Sequence, residues 1–148
     1  MVHVWAVGGL RNDAMRALAN DYLRRAARAD LSIRLEELPQ GKGGTVRSID
    51  TLVGRMKDLR RSIALDETGD PIRSEPFAEQ LRGDMSRGGD IAFLIGGAAG
   101  LPRELLAAAD RRLSLSAMTL PHELARVVLL EQLYRAATIL KGMPYHRR

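Results

Sequence analysis

Short apolar runs alternate along this chain with stretches whose apolar positions recur at helical spacing. The pairing begins at Val2–Val7, a strand pattern, followed by a helix over Asp13–Arg28. Residues 32–38 then alternate in polarity and stop at Pro39, the pattern of a strand with one wetter face near a sheet edge. A basic glycine segment, Gly41-Lys42-Gly43-Gly44, reads as a loop. Next come a helix over 48–61, a strand over 62–65 closed by Asp66, and a loop through Gly69 and Pro71. Ser74 or Glu75 with Pro76 opens a helix through 77–87, and Gly88-Gly89 ends it. A fully apolar strand over 91–95 follows, then a helix from Pro102 through Arg112, a fifth strand over 113–120, and a long helix over 123–141. Strands and helices alternating in this way predict an α/β fold: a parallel sheet with helices on both faces, in a single domain spanning 1–148.

Composition narrows the chemistry. The 148 residues, 45% hydrophobic, fill one core. A net charge of +5 and an isoelectric point near 10.2 favour an anionic partner. With no cysteine in the sequence, disulfides, thiolate catalysis and cysteine-ligated zinc are excluded. His3, His122 and His146 are too scattered for a metal site by spacing. No apolar run reaches bilayer length and no signal-peptide layout is present, so the expectation is a cytoplasmic protein that binds no membrane.

In a parallel α/β sheet, ligands sit at the carboxyl ends of the strands. Three such ends carry loop chemistry here: Leu65-Asp66, Gly96-Gly97 and Ala117-Met118-Thr119. The run Gly96-Gly97-Ala98-Ala99-Gly100 has Ile95 where the dinucleotide fingerprint needs glycine, and no acidic residue ends the next strand, which disfavours NAD. Gly41-Lys42-Gly43-Gly44-Thr45 lacks the spacing of a P-loop. Considered alone, the 96–100 glycines are also consistent with a tight strand-to-helix turn, and Leu65, Leu115, Met118 and Leu120 with ordinary core packing.

Three segments change that reading. Phe93-Leu94-Ile95-Gly96-Gly97-Ala98-Ala99-Gly100-Leu101 is followed by Leu115-Ser116-Ala117-Met118-Thr119-Leu120-Pro121-His122 and by a terminal Pro144-Tyr145-His146-Arg147-Arg148. With Val4-Trp5-Ala6-Val7-Gly8, Tyr22-Leu23-Arg24-Arg25 and Pro39-Gln40-Gly41-Lys42, they resemble, over nearly the whole chain, the SPOUT methyltransferases and specifically the bacterial RlmH family. The 115–122 segment and the tail are the specific part of the match. The family usually has Pro-Glu where this chain has Ala98-Ala99, so no role for a carboxylate at that turn carries over.

The resemblance implies a parallel-sheet fold with a carboxyl-terminal trefoil knot, an exception to the general absence of knots. It implies methylation of N3 of a pseudouridine in large-subunit ribosomal RNA, within assembled ribosomes, with S-adenosylmethionine as the methyl donor. The cofactor-binding positions it implies are Leu65, Gly96, Leu115, Ser116, Ala117, Met118, Thr119 and Leu120, with leucines and Met118 covering the adenine and Gly96 leaving room for close approach. His122 and His146 are the candidate bases for the imide proton, Tyr145 a residue to stack on or hydrogen-bond the target base, and Arg147 and Arg126 groups that favour the anion or hold phosphate. Arg103, Arg111, Arg112, Arg126, Arg135, Lys141, Arg147 and Arg148 would make a phosphate-docking surface, although Glu131 with Arg135 has the spacing of an ordinary helical ion pair. A homodimer in which one subunit's tail completes the other's site is implied as well. Two alternatives stay open: a SPOUT enzyme acting on another RNA, and a non-catalytic RNA-binding or ribosome assembly factor on the same scaffold.

Overall fold

A computed structural model describes residues 1–147, as five parallel strands in the order β2-β1-β4-β3-β5 with helices on both faces. The central strands β1 (Val2–Val7) and β4 (Ile91–Ile95) pair in register from Val2 with Ile91 to Ala6 with Ile95. Both are apolar on both sides, as strands covered on both faces must be. Val2, Val4, Ile91 and Phe93 pack under α1 (Asp13–Arg28), α3 (Ser74–Ser86) and α5 (His122–Leu140). Trp5, Val7, Ala92 and Leu94 point the other way, towards α2 (Ile49–Met56) and α4 (Arg103–Ala108). The alternating segment becomes β2 (Ile33–Leu38), which pairs only with β1 and is the edge strand its polarity predicted.

Boundaries beyond β2 differ from the expectation in four places. α2 stops at Met56 rather than running to 61, because the chain turns through Lys57 and Asp58 and Arg60 N–H donates to the Asp90 carbonyl at 2.7 Å. β3 runs over Arg61–Pro71 instead of ending at 65. Its partner β5 pairs Leu113 with both Leu65 and Asp70, so residues 66–69 bulge out of the sheet. α4 ends at Ala108, not at Arg112, because the Asp110 carboxylate accepts the Ser62 backbone N–H at 2.7 Å and the Ser62 hydroxyl at 2.9 Å, pulling the chain into β5. β5 is Arg111–Ser114, and 115–120 is loop rather than strand: the Ser116 hydroxyl accepts the Met118 N–H at 2.9 Å and turns the chain away from the sheet.

That loop carries the chain from the β5 edge back to α5, which lies between α1 and α3. The Glu123 carboxylate in the first turn of α5 accepts the N–H groups of Arg11 and Asn12, fixing the start of α1 against the start of α5. Asn12 in turn caps α1, its side chain accepting from Met15 N–H at 3.1 Å. No helix is long and apolar enough to cross a membrane among the described residues.

Candidate active site

The β3 bulge, the carboxyl end of β4 and the 115–121 loop enclose an open cleft of about 720 Å³. The three strand ends singled out in the sequence therefore meet at one place, with Leu65, Gly96, Leu115, Ser116, Met118, Thr119 and Leu120 in the lining and Ala117 outside it. Leu65, Leu115 and Leu120 form apolar walls, the 96–101 loop supplies a backbone-lined side, and Asp66, Glu67 and His122 are its titratable groups. No lysine or arginine lines it among the described residues. Thr119 donates its hydroxyl to Glu67 at 2.7 Å, tying the loop before α5 to the β3 bulge. The bulge itself is possible because residue 69 is glycine: a Cβ there would lie 2.9 Å from the backbone of Arg112 and Leu113. Glu67 was not legible as a site residue; its only signal was a carboxylate just past a strand end.

Gly96 is at the cleft for a different reason from the one its position suggested. A Cβ on Gly96 would stand 2.6 Å from Leu101 N and closer still to the Gly100 carbonyl carbon. The chain's own return, closed by Gly100 N–H donating to the Gly97 carbonyl at 2.9 Å, occupies that space, so the missing side chain serves the loop and not a ligand's approach. Met118 is 78% exposed at the cleft rim, available to cover a ligand rather than committed to the core.

The histidines and the tail divide. His122, the first residue of α5, borders the cleft. Tyr145 and His146 do not: they fold back on α5 away from it. Tyr145 donates its hydroxyl to Glu131 at 3.0 Å, and its ring lies between Tyr134, 4.6 Å centroid to centroid, and the Arg135 guanidinium at 4.7 Å. His146 Nδ1 is 3.2 Å from Arg135, and its Nε2 is 3.1 Å from the Glu75 carboxylate, within ion-pair reach but off the line of a hydrogen bond. Glu131 stands nine positions beyond His122, about 14 Å along the helix at 1.5 Å per residue. Within one chain, then, the tail and the cleft are separate. Burial, reinforced by the Glu131 carboxylate, pushes the Tyr145 phenol well above its usual range, so it stays protonated and is not itself a base.

Of the candidate cations, Arg126 is not available to phosphate. It is 1% exposed, donating to the Gly8 carbonyl at 2.7 Å and to Glu37 at 3.3 Å, and desolvation is the main cause of its lowered pKa. Arg135 is held by Glu131, Arg111 by Asp84 and Gln80, and Lys141 by Asp30. Arg103 and Arg147 are exposed, and Arg148 lies outside the described residues. The described residues contain no group of three or more potential metal-binding side chains.

The family model described as "Predicted SPOUT methyltransferase" matches residues 1–146. The chain belongs to the SPOUT methyltransferases. Its relatives include a protein of Anaeromyxobacter dehalogenans named Ribosomal RNA large subunit methyltransferase H, 44% identical over 99% of both chains. A Dinoroseobacter shibae protein of the same name is 46% identical over 99% of this chain and 98% of its own. Among solved structures, a transfer-RNA methyltransferase of Aquifex aeolicus superposes with a TM-score of 0.56 at 12% identity, covering 99% of this chain and 73% of that one. A Legionella pneumophila protein solved with S-adenosylmethionine bound gives 0.52 at 14% identity, covering 91% and 66%. These two structures share the fold described above, and the departure at Ala98-Ala99 falls in the cleft's glycine loop.

Proposed function

We propose that this protein is an S-adenosylmethionine-dependent methyltransferase that methylates N3 of a pseudouridine in large-subunit ribosomal RNA, on assembled ribosomes in the cytoplasm. The observation that carries the reading is the 44% identity, over 99% of both chains, to a protein named Ribosomal RNA large subunit methyltransferase H. The cleft suits the cofactor on physical grounds. At about 720 Å³ it falls within the roughly 300–1,000 Å³ typical of ligand pockets. Its leucines would cover the adenine, and the loop backbones would hydrogen-bond the ring edge. Asp66 and Glu67, with no competing cation in the lining, favour a ligand bearing a sulfonium and an ammonium. They also give the cleft acidity that the Ala98-Ala99 turn does not.

When bound there, S-adenosylmethionine supplies an activated methyl group. The protein's own work is then to align the imide nitrogen with it and to accept one proton. His122 is the titratable ring at the cleft of the same subunit. His146, Arg147 and the Tyr145 ring reach a cleft only if the cleft belongs to a second subunit. Leu124, Val128 and Gln132, spaced by four along α5 and half-buried, give the dimer a face beside the cleft. A homodimer in which each tail meets the partner's cleft reconciles the tail's separation from its own cleft with a role at the target base. The trefoil knot of this reading belongs where the 115–121 segment, the β3 bulge and the 96–101 loop line one cleft.

Incubation of the protein with labelled S-adenosylmethionine and ribosomes lacking the modification tests the reading. Incorporation into large-subunit RNA is the expected result. Cofactor binding without incorporation into any ribosomal RNA would move the activity to another RNA, and no cofactor binding would make this a non-catalytic RNA-binding or assembly factor.

A further inference from the structure

The segment Gly41-Lys42-Gly43-Gly44-Thr45-Val46-Arg47 has no part in the cleft lining, yet it is built against it. A Cβ on Gly97 would lie 2.6 Å from the Gly44 carbonyl oxygen, and one on Gly44 would lie 3.2 Å from Ala98. The two glycine loops thus touch backbone to backbone at the carboxyl ends of the central strands. The 41–47 loop is also internally closed. Gly41 N–H donates to the Thr45 carbonyl at 2.8 Å, the Thr45 hydroxyl donates to the Lys42 carbonyl at 2.8 Å, and Gln40 bridges to Val46. Val46 is buried in the core beneath α2, so the loop is anchored at its base.

Against that rigid base, the two cations point outward. Lys42 and Arg47 are exposed, and neither cationic side chain has a hydrogen bond or ion pair among the described residues. They contrast with Arg111, Arg126, Arg135 and Lys141, each already paired with a carboxylate. Free cations on a pre-formed loop lose little conformational entropy when they meet a polyanion.

We propose that Lys42 and Arg47 contact the phosphate backbone of the RNA substrate, and that their seat on the 96–100 loop sets the RNA's position relative to the methyl donor. This inference rests on the RNA methyltransferase reading. The loop positions the strand and carries no sequence information, as phosphate contacts do not. Each phosphate neutralised makes binding weaken with salt by a slope of about 0.7 to 0.9 in logarithmic terms.

The test compares wild type with Lys42→Ala/Arg47→Ala and with the charge-conserving Lys42→Arg/Arg47→Lys. The readouts are S-adenosylmethionine affinity, methyl transfer to ribosomes lacking the modification, and the salt dependence of RNA binding. The alanine pair is expected to keep cofactor affinity, raise the KM for ribosomes at least tenfold, and lower the salt slope by about 1.4 to 1.8. The charge-conserving pair is expected to match wild type. An alanine pair with unchanged KM and slope, beside an active wild type, overturns the proposal. A wild type that transfers no methyl group overturns instead the reading beneath it.

Discussion

Thr119 donates its hydroxyl to the Glu67 carboxylate at 2.7 Å, across a sequence separation of 52 residues. The contact joins the last loop before α5 to a four-residue excursion of β3, and among the described residues it is the one side-chain hydrogen bond between these two walls of the cleft. Both groups are exposed, so the bond contributes little to global stability. Its consequence lies in holding the cleft's width. Thr119→Val is expected to leave the thermal midpoint of the free protein unchanged while weakening S-adenosylmethionine binding about fivefold, the equivalent of roughly 1 kcal/mol. Titration calorimetry on the variant checks this.

Gly96→Ala is expected to lower stability and cofactor binding together. The added Cβ meets the backbone of Gly100 and Leu101, which cannot yield as a flexible side chain would. A thermal melt alongside a binding titration reads both. A variant with a wild-type melting temperature and selectively lost binding would return Gly96 to a direct role against the ligand.

Arg126→Met removes a buried guanidinium that satisfies the Gly8 carbonyl and Glu37. Glu37 is 39% exposed at its side chain and can recover water, so the loss falls mainly on the Gly8 carbonyl. The expected cost is about 2 kcal/mol in denaturant unfolding. The salt dependence of RNA binding is expected to be unchanged, as follows for an arginine that never reaches phosphate.

Hydrogen bonds from the backbone of Arg11, then from that of Asn12, hold the Glu123 carboxyl below the usual carboxylate range. A carboxylate with a depressed folded pKa contributes fully above its unfolded value, about 4.3, and loses that contribution as pH falls through the folded value. Glu123→Gln is therefore expected to make stability less sensitive to acid across that interval. Denaturant midpoints measured from neutral pH downward for both proteins check the slope.

Tail-truncated protein lacking Tyr145 onward and a cleft variant such as Thr119→Val/Glu67→Ala each supply one half of the composite site. Co-expressed as a mixed dimer, a truncated subunit with an intact cleft and a cleft variant with an intact tail are expected to recover methyl transfer that the truncated homodimer lacks. Recovery in the mixed dimer above the turnover of the cleft-variant homodimer at the same limiting cofactor concentration, read by labelled transfer after tandem-tag purification, assigns the tail to the partner's cleft. A truncated homodimer with full turnover would remove the tail from the active site.

The sheet was legible because β4 is apolar throughout and β1 nearly so, broken only by His3, because β2 alternates, and because the helices between them show helical spacing. The wetter face of β2 marked it as an edge strand, whereas nothing in the pattern marked β5 as the opposite edge. The boundaries around β3 and β5 were not, because they rest on tertiary contacts: Asp110 caps Ser62 from 48 residues away, and Gly69 lets the bulge close on β5. Leu65, Leu115, Ser116, Met118, Thr119 and Leu120 were found at the cleft because the motif marked a strand end, whereas Ala117 does not line it. Gly96 was found for the wrong physical reason, since sequence cannot distinguish a glycine that admits a ligand from one that admits its own chain. Arg126 looked like a surface cation because nothing in a helical pattern reveals that Gly8 and Glu37 wait beneath it.

The central claim is transfer of a methyl group to one atom of one nucleoside, and mass spectrometry of nucleosides from the methylated large-subunit RNA tests it most directly. The account predicts N3-methylpseudouridine in the wild-type reaction, absent when the cofactor is withheld. A methyl group found on another nucleoside, or none on ribosomal RNA despite cofactor binding, would contradict it.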